Sequence, residues 1–355
     1  MSDNRINVGR LLIEGMILGD QESRVTAKEK AGTFRGGSVG LLFEDGSTME
    51  GCPRQALARY IGADPPRDPV QWAYDRLMLS SGMASEDLWA DDLKRAIAAT
   101  MPGFKLLREE ELAIKWDVVS GDGSLTVPAT GREDLILVDE RGDVATLIEL
   151  KQVSSLNTAA SVLGGLKPKL AHVVQAANYA YRVGAPSQLW YVSRVNWSVP
   201  DWAFIKALFA NPHPKIERFL KRGATSEKIT TLLPFIVGFD LSWDKNEAGE
   251  ERVFVQPLLH DGPLDSKAAG RGKEKSLLLE TPVSLERIDR FYSACADQIV
   301  NGRLHPDRPL PMELNGKTHK GFSPCDYCDW KYNCDANESN YEAWVAEVKS
   351  NVAKG

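Results

Sequence analysis

The chain has 355 residues, room for about two domains on a prior of roughly 150 residues each, or for one domain with large insertions. Hydrophobic residues make up 43% and charged residues 26%, which excludes a disordered, collagenous or disulfide-stapled chain. Lys and Arg number 43 against 49 Asp and Glu, a formal net charge of −6, so the chain is no generic nucleic-acid coat. A local basic groove stays open to it, and a carboxylate-rich metal site would itself add negative charge.

In chain order, residues 1–50 read as a small β-rich leader, with AGTFRGGSVGLLFEDGS suggesting strands and tight turns. MSDNRINVGR lacks the apolar core of a secretory signal, and no stretch approaches the ~18 apolar residues of a membrane span. A cytoplasmic chain with reduced thiols and no membrane partner is therefore expected. Residues 51–103 form a helical segment that carries Cys52. GCPRQALARYIG is a short helix closed by Gly62. Asp68-Pro69 opens a helix to about Ser80. Ser85 caps another over 86–100 with Leu88, Leu93 and Ile97 facing inward, ended by Pro102-Gly103.

Residues 104–260 are strand-rich. In ELAIKWDV the residues Leu112, Ile114, Trp116 and Val118 alternate with polar or small ones, and GREDLILV and DVATLIEL follow as strands. KPKLAHVVQAANYAYRVG is a helix with Gly184 past its end, and SQLWYVSRV returns as a strand. Residues 261–280 are a flexible basic loop, in which Lys267, Arg271, Lys273 and Lys275 read as a solvated run. Residues 281–355 hold TPVSLERIDRFYSACADQIVNG as a helix, then the segment PCDYCDWKYNC and a polar helix. Trp72, Trp89 and Trp116 are expected in the core. The chain lacks a Walker A sequence and so carries no ATP-driven motor.

The strongest chemistry lies in GREDLILVDERGDVATLIELK. A tight turn at Arg141-Gly142, taken as a two-residue loop, pairs Glu140 with Asp143 and sets Asp134 opposite Glu149. A four-residue loop over 140–143 gives the same register. The two carboxylates then share one sheet face about 5 Å apart, with Lys151 on that face as well. Acids among Leu, Ile and Val are costly unless neutralised, and a divalent cation such as Mg²⁺ or Mn²⁺ would do this. A surface hairpin with solvated Glu149 and Lys151 is the competing reading. On the following helix, His172, Gln175, Tyr179 and Arg182 form a polar stripe, with Leu170, Val173, Val174, Ala177 and Tyr181 on the opposite side. An imidazole, an amide, a phenol and a guanidinium close after an acid pair suit phosphate contact.

Cysteine occurs five times, three of them in a C-x2-C-x5-C run, which in a chain with reduced thiols points to a metal or cluster before disulfides. Cys52 and Cys325 lie far apart in sequence, so sharing one cofactor would lock the chain ends around the core. Thiolates admit both Fe–S and Zn²⁺, although zinc ribbons more often show two C-x2-C pairs. Cys295 falls on the apolar stripe Ile288, Tyr292, Cys295, Ile299 and reads as a core thiol.

G-x-x-D at Gly131–Asp134, E-x-K at Glu149–Lys151 and Q-x-x-x-Y at Gln175–Tyr179 resemble the motifs of the RecB-like branch of the PD-(D/E)XK nucleases. One cysteine before this region and three after it is similar to the CRISPR-associated RecB-like exonucleases and AddB-type nucleases. The resemblance runs from about Cys52 to Cys334. It implies an α/β fold with a restriction-endonuclease-like core, a mixed central sheet flanked by helices, whose N- and C-terminal segments join at a four-cysteine cluster. It implies a [4Fe–4S] cluster on Cys52, Cys325, Cys328 and Cys334, and Mg²⁺ or Mn²⁺ on Asp134, Glu149 and the Leu150 carbonyl. Lys151 resembles the lysine that orients or activates the attacking water, and Gln175 and Tyr179 the pair that contacts the substrate strand. The family usually adds an upstream helical acid or histidine on the metal, a histidine in many relatives, and here the candidate ligand is Glu86. Lys167, Lys169 and Arg182 are expected to track a phosphate backbone.

The expected activity is metal-dependent exonucleolytic hydrolysis of DNA, on single strands or ends. The setting would be recombination and repair, phage replication or CRISPR spacer processing, with recombination, replication or CRISPR adaptation proteins as partners. A non-catalytic DNA-end-binding scaffold and a zinc-stapled endonuclease are the alternatives.

Overall fold

The computed structural model describes residues 31–62, 69–108, 113–153, 162, 168–197, 231–245, 249, 251–259, 262–263, 282–302, 305, 313–314 and 317–318. The fold is mixed α/β. The short strands β1 (Phe34–Arg35), β2 (Leu41–Leu42) and β3 (Thr48–Met49) precede the helix α1 (Pro53–Tyr60). Proline stands at the start of α1, where a missing N–H costs nothing, and Gly62 follows its end with a positive φ of 67°. The helix α2 runs unbroken from Pro69 to Thr100. This corrects the expected break near residue 80, since Gly82 lowers helix propensity without ending a helix. Leu88, expected inside, is 56% exposed, while Ala90 and Ile97 face the core with Trp89 and Leu93 packed beside them.

Two sheets follow. Strand β5 (Ile114–Val119) alternates as expected, with Ile114 and Val118 buried and Lys115 and Asp117 exposed. It pairs with β6 (Thr126–Gly131), which pairs in turn with β1 in parallel. Seven strands make the main sheet. These are β4 (Lys105–Arg108), β7 (Leu135–Val138), β8 (Val144–Val153), β9 (Ser187–Trp197), β10 (Thr231–Lys245), β11 (Glu251–Leu259) and β12 (Gly262–Pro263). Their order is β12-β11-β10-β9-β8-β7-β4. Every pairing in it is antiparallel except β8 with β9. The helix α3 (Leu170–Val183) makes that parallel crossover and ends at Gly184 with φ 72°, where the Gly184 and Ala185 N–H groups donate to the Ala180 carbonyl.

All four residues of β7 are buried. Leu135 and Leu137 pack with α2 on one face of the sheet, while Ile136 and Val138 pack with α3 on the other. Each such side chain contributes about 2 kcal/mol over leaving it exposed. The helix α4 (Leu285–Asn301) begins at Ser284, whose Oγ accepts the Arg287 N–H at 3.3 Å. It joins α3 and the smaller sheet in the largest apolar cluster, with Ile288, Tyr292 and Cys295 buried as the stripe predicts. Strands β13 (Glu313–Leu314) and β14 (Lys317–Thr318) form a separate hairpin. Among the described residues no helix is long and apolar enough to cross a membrane.

The helix α3 is covered on more sides than its sequence suggests. The main sheet lies on one side, the smaller sheet and α4 on the other. Ala176, Asn178, Tyr179 and Ala180 are therefore buried, while Tyr181, expected in the core, is 40% exposed. Arg182 faces inward as well. Its guanidinium is paired with Asp289 and lies 5.5 Å from the Trp116 ring centre, so it does not present itself to a phosphate backbone.

Candidate active site

The hairpin between β7 and β8 turns differently from the expectation. The Asp139 N–H donates to the Asp143 carbonyl at 2.9 Å, and Gly142 takes a φ of 87°. This three-residue loop, Glu140 to Gly142, has its glycine in the left-handed position. It pairs Val138 with Val144. A bulge then admits Ala145 as an extra residue, so Leu137 faces Thr146 and Leu135 faces Ile148. The bulge cancels the shift that the loop introduced. The expected register returns along the rest of the hairpin and brings Asp134 alongside Glu149.

The strand β7 stops at Leu135, and Asp134 continues its pairing by side chain: Oδ2 accepts the Leu150 N–H at 2.7 Å. The same Oδ2 lies 3.9 Å from the Lys151 Nζ, which also forms an ion pair with Glu149 Oε1. Period-two alternation places Glu149 and Lys151 on the α3 face of β8. In the parallel register with β9, Glu149 neighbours Leu189 and Lys151 neighbours Tyr191 on that face. Tyr191 Oη accepts the Lys169 N–H at 2.9 Å and lies 2.9 Å from His172 Nδ1.

A third acid belongs to this group. Glu133 is completely buried, no N–H or hydroxyl reaches either of its carboxyl oxygens, and the group that meets it is the carboxyl of Glu149. Glu149 Oε2 is likewise buried, and no N–H or hydroxyl reaches it. Burial pushes the Glu133 pKa well up, and the charges of Glu149 and Asp134 push it further. Asp134 is raised for the same reasons, burial first and then Glu149, against the pull of Lys151 and the Leu150 N–H. The charge of Glu86, on α2, also raises it. Burial alone would lower the Lys151 pKa, but Glu149 and Asp134 outweigh it and hold the ammonium charged. Three carboxylates thus face one ammonium.

Strict alternation counted back from Asp134 would put Glu133 on the far face. The chain instead crosses from the smaller sheet to the main one over Arg132–Asp134, outside either strand, and the alternation breaks there. The signal available in the sequence was an acid adjacent to a motif acid at a strand boundary.

Tyr179 fills a floor made by two glycines. A Cβ on Gly131 would lie 2.1 Å from its ring, and one on Gly36 would lie 2.3 Å away. The glycine of G-x-x-D is thereby tied by packing to the tyrosine of Q-x-x-x-Y. Tyr179 is 2% exposed, and Gln175, one turn earlier, is partly exposed. Cys52 is buried at the start of α1, and the Cys295 thiol is raised by burial and by neighbouring Cys52. Cys325, Cys328, Cys334 and Lys167 lie outside the described residues.

Among the described residues no three His, Cys, Asp or Glu side chains are grouped as a preformed metal centre. The oxygens of Glu133 and Glu149 that no N–H or hydroxyl reaches nevertheless suit a hard divalent cation, which accepts oxygen donors and removes the repulsion between the acids. No family model matches the chain, and none of the curated proteins does. A solved structure, that of SSO0001, is similar at 15% identity over 52% of this chain and 72% of that one, with a TM-score of 0.31. A likeness of that size carries no argument, and the functional reading rests on the geometry of the acids and lysine.

Proposed function

We propose that the chain is a divalent-metal-dependent deoxyribonuclease of the PD-(D/E)XK type, with the mixed sheet serving as a restriction-endonuclease-like core. One observation supports this above all: Asp134 and Glu149 both pair with Lys151, and the buried Glu133 lies within electrostatic reach of all three, so the acids outnumber the cation. Carboxylates are kept in such a place at a cost that neutralisation must offset.

In this reading Asp134, Glu149 and the Leu150 carbonyl hold Mg²⁺ or Mn²⁺, with Glu86 approaching from α2. When bound, the cation would polarise the scissile phosphate and acidify the attacking water. Lys151, kept charged by its neighbours, stabilises the negative charge that develops on the phosphate. The Leu150 N–H orients Asp134, and the β8–β9 pairing holds Glu149 and Lys151 on a rigid strand. Cys52, Cys325, Cys328 and Cys334 supply four thiolates, a donor set suited to a [4Fe–4S] cluster. The substrate is DNA, as single strands or ends, in recombination, repair, phage replication or CRISPR spacer processing.

The test incubates anaerobically purified protein with end-labelled single- and double-stranded DNA, with and without Mn²⁺. Mn²⁺-dependent degradation is expected, falling at least about a hundredfold in Lys151→Ala and in Asp134→Ala. Undiminished degradation in both variants refutes the site. Tight DNA binding without cleavage under any divalent metal supports a non-catalytic scaffold instead.

A further inference from the structure

The pair Tyr191 and His172 lies beside Lys151, outside the motif residues. Tyr191 is fully buried. Among the described residues its hydroxyl meets two polar groups, the Lys169 N–H and the Nδ1 of His172. The backbone N–H can only donate, so it uses a lone pair of Oη. The hydroxyl proton then has one acceptor left, Nδ1. Nδ1 must be unprotonated to accept it, which places the imidazole proton on Nε2. The rings reinforce the pairing, with centroids 5.6 Å apart. Burial, with Lys151 and Lys169 nearby, holds the imidazole well below its usual pKa and so in its neutral form. His172 is still partly exposed.

We propose that His172, locked by Tyr191 as the Nε2–H tautomer, is a neutral hydrogen-bond donor to a phosphate oxygen of the polynucleotide strand bound at the Asp134–Glu149–Lys151 site. This rests on the reading of that site as a phosphodiester site. A donor within electrostatic reach of Lys151 and Lys169 matches an anionic oxygen, and a neutral one adds no third cation to that pair. Tyr191 acts through His172 and is a positioning residue.

Two measurements on the full-length chain test the proposal. The ¹⁵N spectrum of histidine-labelled protein, assigned with His172→Ala, is expected to show His172 as a single Nε2–H tautomer. In Tyr191→Phe it should become a mixture. Binding of a short fluorescein-labelled deoxythymidine oligonucleotide, with Ca²⁺ in place of Mg²⁺ to occupy the acids while suppressing cleavage, is expected to weaken about tenfold in His172→Ala. His172→Gln, whose amide keeps a donor, should stay within about threefold of wild type. An Nδ1–H tautomer in the wild type overturns the proposal without reference to any variant's folding. Equal oligonucleotide affinity in wild type and His172→Ala overturns the donor role and leaves the phosphodiester reading standing. A wild type that does not bind the oligonucleotide overturns both.

Discussion

Gly131→Ala is the sharpest test of how packing supports the acids. The added methyl would stand 2.1 Å from the Tyr179 Cε1, whereas ordinary contact begins at 3.4 Å, so the ring must retreat by at least about 1.3 Å. Gly36 directly follows β1, whose Arg35 pairs with Thr130 of β6, and its own Cβ would stand 2.3 Å from the same ring atom. The ring cannot slide sideways along that floor, and it is 2% exposed, so retreat drives it into the core. Overpacking of this kind costs about 3 kcal/mol, the upper part of its usual range. The measurement is a urea melt followed by circular dichroism. Gly37→Ala is the control, since a Cβ there meets nothing within 4 Å, and it should melt as wild type does. In a Tyr179→Leu background the cost of Gly131→Ala should fall by more than about 1 kcal/mol, because the clashing atoms are gone. A Gly131→Ala protein that melts with the Gly37→Ala control would refute the argument that the two motifs are coupled through this contact.

Other outcomes follow from the charges and thiols. Glu133 and Asp134 have folded pKa values above their unfolded ones, so metal-free stability is full below the ordinary carboxylate range and is lost as pH rises through the raised values. Glu133→Gln should flatten that decline and raise the urea midpoint in EDTA at pH 8, with little change at pH 4; a midpoint that falls at pH 8 would contradict it. Lys151→Met keeps most of the stem but strips Glu149 Oε1 of its partner, and should cost about 3–5 kcal/mol in EDTA, read from the same melts. Cys52→Ala should abolish the visible absorbance and bound iron of anaerobically purified protein, whereas Cys295→Ala should keep both and lose about 1 kcal/mol of stability. Retained iron in Cys52→Ala would remove that residue from the ligand set.

The register of the acids was legible from a two-residue turn at Arg141-Gly142, and it holds because the bulge at Ala145 cancels the shift of the three-residue loop that is formed instead. The turn was not legible, because a loop and a bulge that cancel leave no trace in the alternation. Strand β6 escaped notice since Pro128 and Gly131 look like breakers. The strand nevertheless lies in the middle of the smaller sheet, with Pro128 opposite Asp117 of β5 and beyond the two-residue pairing with β1. The polar stripe of α3 misled because amphipathicity reports one covered side, while this helix has a second layer over it. Glu133 was hidden by a change of sheet that periodicity does not register.

The two sheets also imply an order of assembly. Asp134 and Glu149 meet through a hairpin closed over a few residues, a contact of short range that forms early. The floor beneath Tyr179 requires β1 to find β6 across nearly a hundred residues, a late event by the same reasoning. The pairing that aligns the acids is thus the short-range part of the fold, and the floor beneath Tyr179 its long-range part.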